Sequence, residues 1–134
     1  MQGKNRKSVS KKSLEKKADL LYKQAILLIH KYLCEACGKP AITAHHFYPK
    51  GMARHLRYNL DNGISICGGC HIRHHKGNDP RIHENITKKR GKDWRDSLEK
   101  WKNETHQSFE TKEFYLRNIA DLEDIIKTTK MRNE

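Results

Sequence analysis

The sequence predicts an α+β protein, a very small β–loop–β–α (ββα) core stapled by four cysteines and flanked by N- and C-terminal α-helices. Three observations predict it. The cysteines fall into two C-x2-C pairs, Cys34–Cys37 and Cys67–Cys70. Short apolar segments lie between the pairs, too short for helices. Outside the pairs, apolar residues recur at spacings of three and four, the period of a helix with one buried face.

Residues 1–12 are polar and basic and read as a flexible tail. From Ser13, read as an N-cap, Leu14, Ala18, Leu21, Ala25, Leu28 and Tyr32 form one stripe, which predicts a helix to about Leu33 (segment 13–33). The segment 34–78 reads as the stapled core. Ile42-Thr43-Ala44 is the first expected strand and Gly63-Ile64-Ser65-Ile66 the second; His71 to Lys76 opens a helix. Phe47 to Leu60 reads as a long loop with a helical turn. Residues 79–134 form a helical extension, broken at Pro80 and Gly91. Within it Trp94, Leu98 and Trp101 share one face. Thr111 caps a last helix with Tyr115, Ile119, Leu122 and Ile126 as its buried stripe.

Composition narrows the function. In 134 residues, 28 Lys and Arg face 16 Asp and Glu, a formal charge of +12, so a polyanion is the leading partner. Residues 1–17 carry seven basic side chains against one acidic one, whereas 107–134 carry five against six. The positive footprint therefore lies in the N-terminal and middle parts. No apolar run has the length of a membrane span and no secretory leader is recognisable, so the expected setting is cytoplasmic, the host cytoplasm if the chain is phage-encoded, with no membrane partner. In such a reducing compartment four cysteines read as metal ligands rather than disulfides.

Two residues between cysteines let both sulfurs of one knuckle reach a single ion, and 29 residues separate the two pairs. Cys34, Cys37, Cys67 and Cys70 thus predict a structural Zn2+ site with no position left for water. The histidines between and after the knuckles need another account. His45 and His46 are adjacent, so on a strand they point to opposite faces. His71 and His75 stand four apart, on one face if their segment is helical. Neutral imidazoles at that spacing can share one ion, and a histidine that stands off the ion can act as a base near neutral pH.

Taken together, Cys34–Cys37, Ala44-His45-His46, Asn62–Ile66 and Cys67-Gly68-Gly69-Cys70-His71 resemble the HNH endonuclease motif in its zinc-knuckle form. The resemblance covers about 45 of the 134 residues. It implies a ββα-metal core in which His46 is the general base and Asn62 braces the loop carrying it. His45 stands where many members have a metal-binding Asp; the His in its place is similar to that of the nuclease colicins. His71 corresponds to the final metal ligand and His75 to the extra histidine of the colicin-like subset. The stretch from His45 to Asn78 is also similar to phage NinG-type recombination nucleases.

The resemblance implies hydrolysis of DNA phosphodiesters to 5′-phosphate and 3′-hydroxyl ends with one catalytic Mg2+ or Mn2+; the nitrogen ligands equally suit Zn2+ or Ni2+. Arg54, Arg57 and Arg73 are candidate clamps for DNA phosphates. The chain is expected to act as a monomer or homodimer, since one such site cuts one strand. The alternative reading is a non-catalytic zinc-ribbon DNA-binding or recombination accessory protein, which leaves the clustered histidines without a task.

Overall fold

The computed structural model describes residues 9–76, 79–104 and 110–133, with only the backbone of residues 75 and 76. In chain order, helix α1 (Lys11–Ile29) leads to strand β1 (Thr43–His46) and strand β2 (Gly63–Ile66). Helices α2 (Gly68–Lys76), α3 (Pro80–Arg90), α4 (Lys92–Asn103) and α5 (Lys112–Arg132) follow. The strands pair antiparallel, with His45 opposite Ile64 and His46 opposite Gly63. The loop between them contains two short 3₁₀ turns, Arg54–Leu56 and Leu60–Asn62. An α+β class holds for this architecture, with the sheet reduced to two strands.

α1 begins earlier than its apolar stripe suggests. The cap is Ser10, whose hydroxyl accepts from the Ser13 amide at 3.1 Å, so Ser13 is inside the helix. The helix also ends at Ile29 rather than near Leu33. Lys31 and Tyr32 adopt φ of 55° and 58°, left-handed values that cost a non-glycine residue energy. That turn swings the chain into the first knuckle, and the Tyr32 amide recovers a bond to Leu27 O at 2.8 Å. β1 starts one residue later than expected and ends two later, to include both histidines. α2 begins at Gly68, so the second knuckle lies in its first turn.

Two buried clusters hold the molecule. The first joins the sheet, Phe47, Leu56, Cys34, Cys67 and Cys70 to Ile82 and Ile86 of α3 and Leu98 of α4, with Trp94 and Trp101 packed on its edge. Each fully buried Ile or Leu contributes about 2–3 kcal/mol by leaving water. The second cluster lies between α1 and α5, where Leu14, Ala18 and Tyr22 meet Tyr115, Ile119 and Leu122, with Tyr58 from the inter-strand loop. The flanking helices therefore pack against each other. α1 also crosses β2 so closely that a Cβ at Gly63 would lie 2.3 Å from Ile26 Cδ1 and 2.6 Å from the Tyr22 hydroxyl. Gly91, at φ 100°, makes the sharp turn between α3 and α4. Among the described residues no helix is long and apolar enough to cross a membrane.

Candidate functional site

The four cysteines converge. Their sulfurs all lie within 4.8 Å of one another, and Cys37 and Cys67 Sγ are 3.6 Å apart. Thiolates about 2.3 Å from one tetrahedral zinc would stand about 3.8 Å from each other, so the donor set fits a structural ion such as zinc. Local geometry makes this possible. Gly38, at φ 81°, closes the first knuckle with its amide on Cys34 O at 2.8 Å. The Cys70 amide points at Cys67 Sγ at 3.4 Å. Arg73 Nη2 donates to Cys70 Sγ at 2.9 Å. This expected phosphate clamp therefore faces the sulfur cluster.

A buried ion pair, invisible in the sequence, ties this centre to the helical extension. Glu35, inside the first knuckle, is 5% exposed and accepts from the Ser65 amide at 3.2 Å and from Arg90 Nε at 2.7 Å. Arg90 also donates to the carbonyls of Gly63 at 2.6 Å and Asp61 at 2.9 Å, and lies over the Trp94 ring. His30 Nε2 is 3.1 Å from Arg90 Nη2; arginine can only donate, so that nitrogen is unprotonated. Burial lowers the His30 pKa in the same sense.

Histidines of β1 and α2 come together. The His45 ring lies 5.4 Å from that of His71 and 4.8 Å from that of His74, centroid to centroid. His75 belongs to α2, but its side chain lies outside the described residues. His74, the sequence neighbour of His75, is thus part of the cluster. Among the described residues, the cysteines are the one group of three or more metal-binding side chains close enough to share an ion.

His46 is held differently. Its ring stacks on Tyr22 of α1 at 5.1 Å, and its Nε2 lies 2.7 Å from the carbonyl oxygen of Arg57. A carbonyl can only accept, so Nε2 carries the proton and Nδ1 keeps the lone pair. Burial lowers the His46 pKa and favours the neutral ring. His45 and His46 both line a cleft of about 630 Å³ between α1 and the loop after β1, with Lys23 and Lys50 at its rim.

Asn62 is fully buried. Its Oδ1 accepts from the Tyr48 amide at 2.8 Å, and its Nδ2 donates to Tyr48 O at 3.1 Å and Leu56 O at 3.4 Å. The loop that follows His46 is pinned by these bonds. Asp61 is exposed, and its carbonyl accepts from Arg90 Nη1 and Trp94 Nε1, both at 2.9 Å.

The arginine expectation needs correction. Arg57 is not an open phosphate clamp. It is buried, its guanidinium donates to Asp19 at 2.9 and 3.1 Å, and it also pairs with Glu15 at 3.2 Å. Burial opposes its charge, but the hydrogen bonds to Asp19 outweigh that and raise its pKa. Tyr58 OH adds a bond to Asp19 at 2.8 Å. Both acids come from α1, whose sequence gives no hint that they face inward. Arg54 is largely exposed, with Glu110 at 3.6 Å.

Comparison with family models, with curated proteins and with solved structures yields no match, so the site's role has to be read from its own chemistry.

Proposed function

We propose that this chain is a metal-dependent DNA endonuclease of the HNH type, hydrolysing phosphodiester bonds with His46 as general base. The observation that carries the reading is the division of labour between two adjacent histidines. His45 turns toward His71, while His46 is fixed by a carbonyl with its proton on Nε2, and both line one cleft with lysines at its rim.

His46 Nδ1 is then the acceptor for a proton from the attacking water. A buried, neutral imidazole suits that task, because a base must be unprotonated at working pH. Asn62 holds the loop that carries Tyr48 and Leu56, and so keeps the floor of the cleft in one shape. His45 and His71, with His75, would hold the catalytic divalent ion, Mg2+ or Mn2+ or, given nitrogen ligands, Zn2+ or Ni2+. When bound, such an ion offsets charge that develops on the phosphate and the leaving oxygen. The cleft's lysines and the basic N-terminal segment favour approach of a polyanion.

The test is cleavage of supercoiled plasmid with Mg2+, Mn2+, Ni2+ or EDTA, comparing wild type with His46→Ala. Metal-dependent cutting that falls at least a hundredfold in the variant, at unchanged melting temperature, is the expected result. A folded, zinc-loaded wild type that binds DNA but cuts under no metal would favour the non-catalytic DNA-binding role.

A further inference from the structure

A second cleft, of about 710 Å³, opens between α3 and α4, and its lining includes His74, His83, Lys88, Lys92 and Arg95. Arg95 is the informative residue. Its Nη1 donates to Thr87 Oγ1 at 3.0 Å and its Nε to Tyr48 OH at 3.3 Å. Its guanidinium lies 4.8 Å above the Phe47 ring. Every partner of Arg95 among the described residues is neutral, although the side chain is half-buried. A guanidinium out of bulk water is normally compensated by a carboxylate, as Arg57 and Arg90 are in this same molecule. Among the described residues Arg95 is held without one.

The other charges in the cleft do not fill the gap. Asp79 is engaged by Arg81 at 2.8 Å, and Lys92 holds Asp96 at 3.1 Å outside the cleft lining. Glu84 is the remaining carboxylate of the wall, against Lys88, Lys92 and Arg95. His83, stacked on Phe47 at 4.0 Å, has a buried Nε2 with no hydrogen-bond partner among the described residues. His74 joins this cleft to the first one, because its ring also touches His45. The two basic-rimmed clefts therefore meet at the histidine cluster.

We propose that the α3–α4 cleft binds backbone phosphates of a nucleic acid strand that continues past His45 and His71. The proposal rests on the nucleic-acid partner of the reading above, but not on catalysis. Arg95 supplies the fork that matches a phosphate, already immobilised by hydroxyls and rings, so little freedom is lost on binding. Lys88 and Lys92 supply mobile charge at the entrance.

The experiment is fluorescence anisotropy with a labelled DNA oligonucleotide across a salt series, using zinc-loaded full chain without added divalent ion, so that no cutting intervenes. Lys88→Glu with Lys92→Glu should weaken binding about tenfold or more and lower the salt slope by about two phosphate contacts. The charge-matched control, Lys127→Glu with Lys130→Glu on α5, should lose distinctly less. Arg95→Lys, which keeps the charge and loses the fork, should weaken binding at unchanged melting temperature. Cleft variants that bind like the control would overturn the proposal. So would a shift of the Arg95 Nε–H resonance on adding inorganic phosphate with DNA affinity untouched, which would assign the cleft to a small phosphate compound. A wild type that binds DNA through the cleft yet never cuts would leave this site standing and remove only the nuclease reading.

Discussion

His46 donates its Nε2 proton to the backbone carbonyl of Arg57 across 2.7 Å, and the side chain of that same Arg57 is clamped by Asp19 and Glu15 of α1. The orientation of the proposed base is thus tied to a residue whose side chain is held by the acids of α1. Asp19→Ala should loosen the clamp. Cleavage should fall roughly ten- to a hundredfold with little change in KM, as for other residues that orient a reacting group through an intermediary. Long-range nitrogen–proton NMR of His46 should show the Nε2–H tautomer in wild type and a mixture in the variant. An unchanged tautomer with unchanged rate would remove Asp19 from any role in positioning the base.

Removal of the knuckle metal should unfold the first buried cluster. Cys34, Cys67 and Cys70 share that cluster with the sheet, Ile82, Ile86 and Leu98, so their release exposes apolar surface well beyond the knuckles. Cys67→Ser or exhaustive chelation should lower the melting temperature by more than 10 °C, equivalent to about 2 kcal/mol or more for a chain of this size. Calorimetry with and without restored zinc reads the effect. Equal melting curves after verified metal loss would show that packing alone holds the core.

Glu35→Ala should be among the most damaging single changes outside the cysteines. It strands the Arg90 guanidinium and leaves the Ser65 amide unpaired in the interior. Breaking one partner of a buried pair costs about 3–5 kcal/mol. Denaturant titration measures this, and a loss under 1 kcal/mol would mean that water replaces the carboxylate.

Gly63→Ala tests the approach of α1 to the sheet. The added methyl meets Ile26 and the Tyr22 hydroxyl, so α1 or its side chains must shift, at a cost of about 1–3 kcal/mol. Tyr22 stacks on His46, which predicts a displaced His46 resonance along with the lower stability.

Stability should also fall with acid through His83. Burial first, then the charges of His74 and Arg95, lower its pKa from 6.5 to about 4. The unfolded chain therefore binds the proton first. Stability from this group is complete above pH 6.5 and is lost as pH drops toward 4, by at most about 3 kcal/mol. His83→Phe, which preserves the stack on Phe47, should flatten that part of the pH–stability curve. An unaltered slope would place the acid sensitivity elsewhere.

What the sequence disclosed depended on the range of the interaction. The second strand, the Thr111 cap and the Trp94–Leu98–Trp101 face are local patterns, and they appear in the structure as read. The cysteine spacing carried enough chemistry to predict a shared site across a long loop. By contrast, Arg57 and Asp19 are separated by 38 positions, and nothing at either position announces the other. An arginine near a histidine motif looks like a phosphate ligand until its partner on α1 is seen. The Ser10 cap was missed because the helix runs a turn beyond its apolar stripe. Glu35 stands between two ligating cysteines, and burial of its carboxylate has no local signature. The expectation for the His75 side chain falls outside the described residues.

The pairing of α1 with α5 has a consequence for assembly order. Tyr115 of α5 lies under the Arg57 guanidinium and donates its hydroxyl to Glu15 at 3.3 Å, backing the clamp from behind. A chain emerging from the ribosome presents its knuckles, both strands and every histidine of the cluster before residues 112–132 have been made. Until α5 docks, α1 lacks its support for the face that steadies His46. Synthesis thus delays a finished cleft until α5 has emerged, and a nascent polypeptide without it would hold the histidines without the means to aim them.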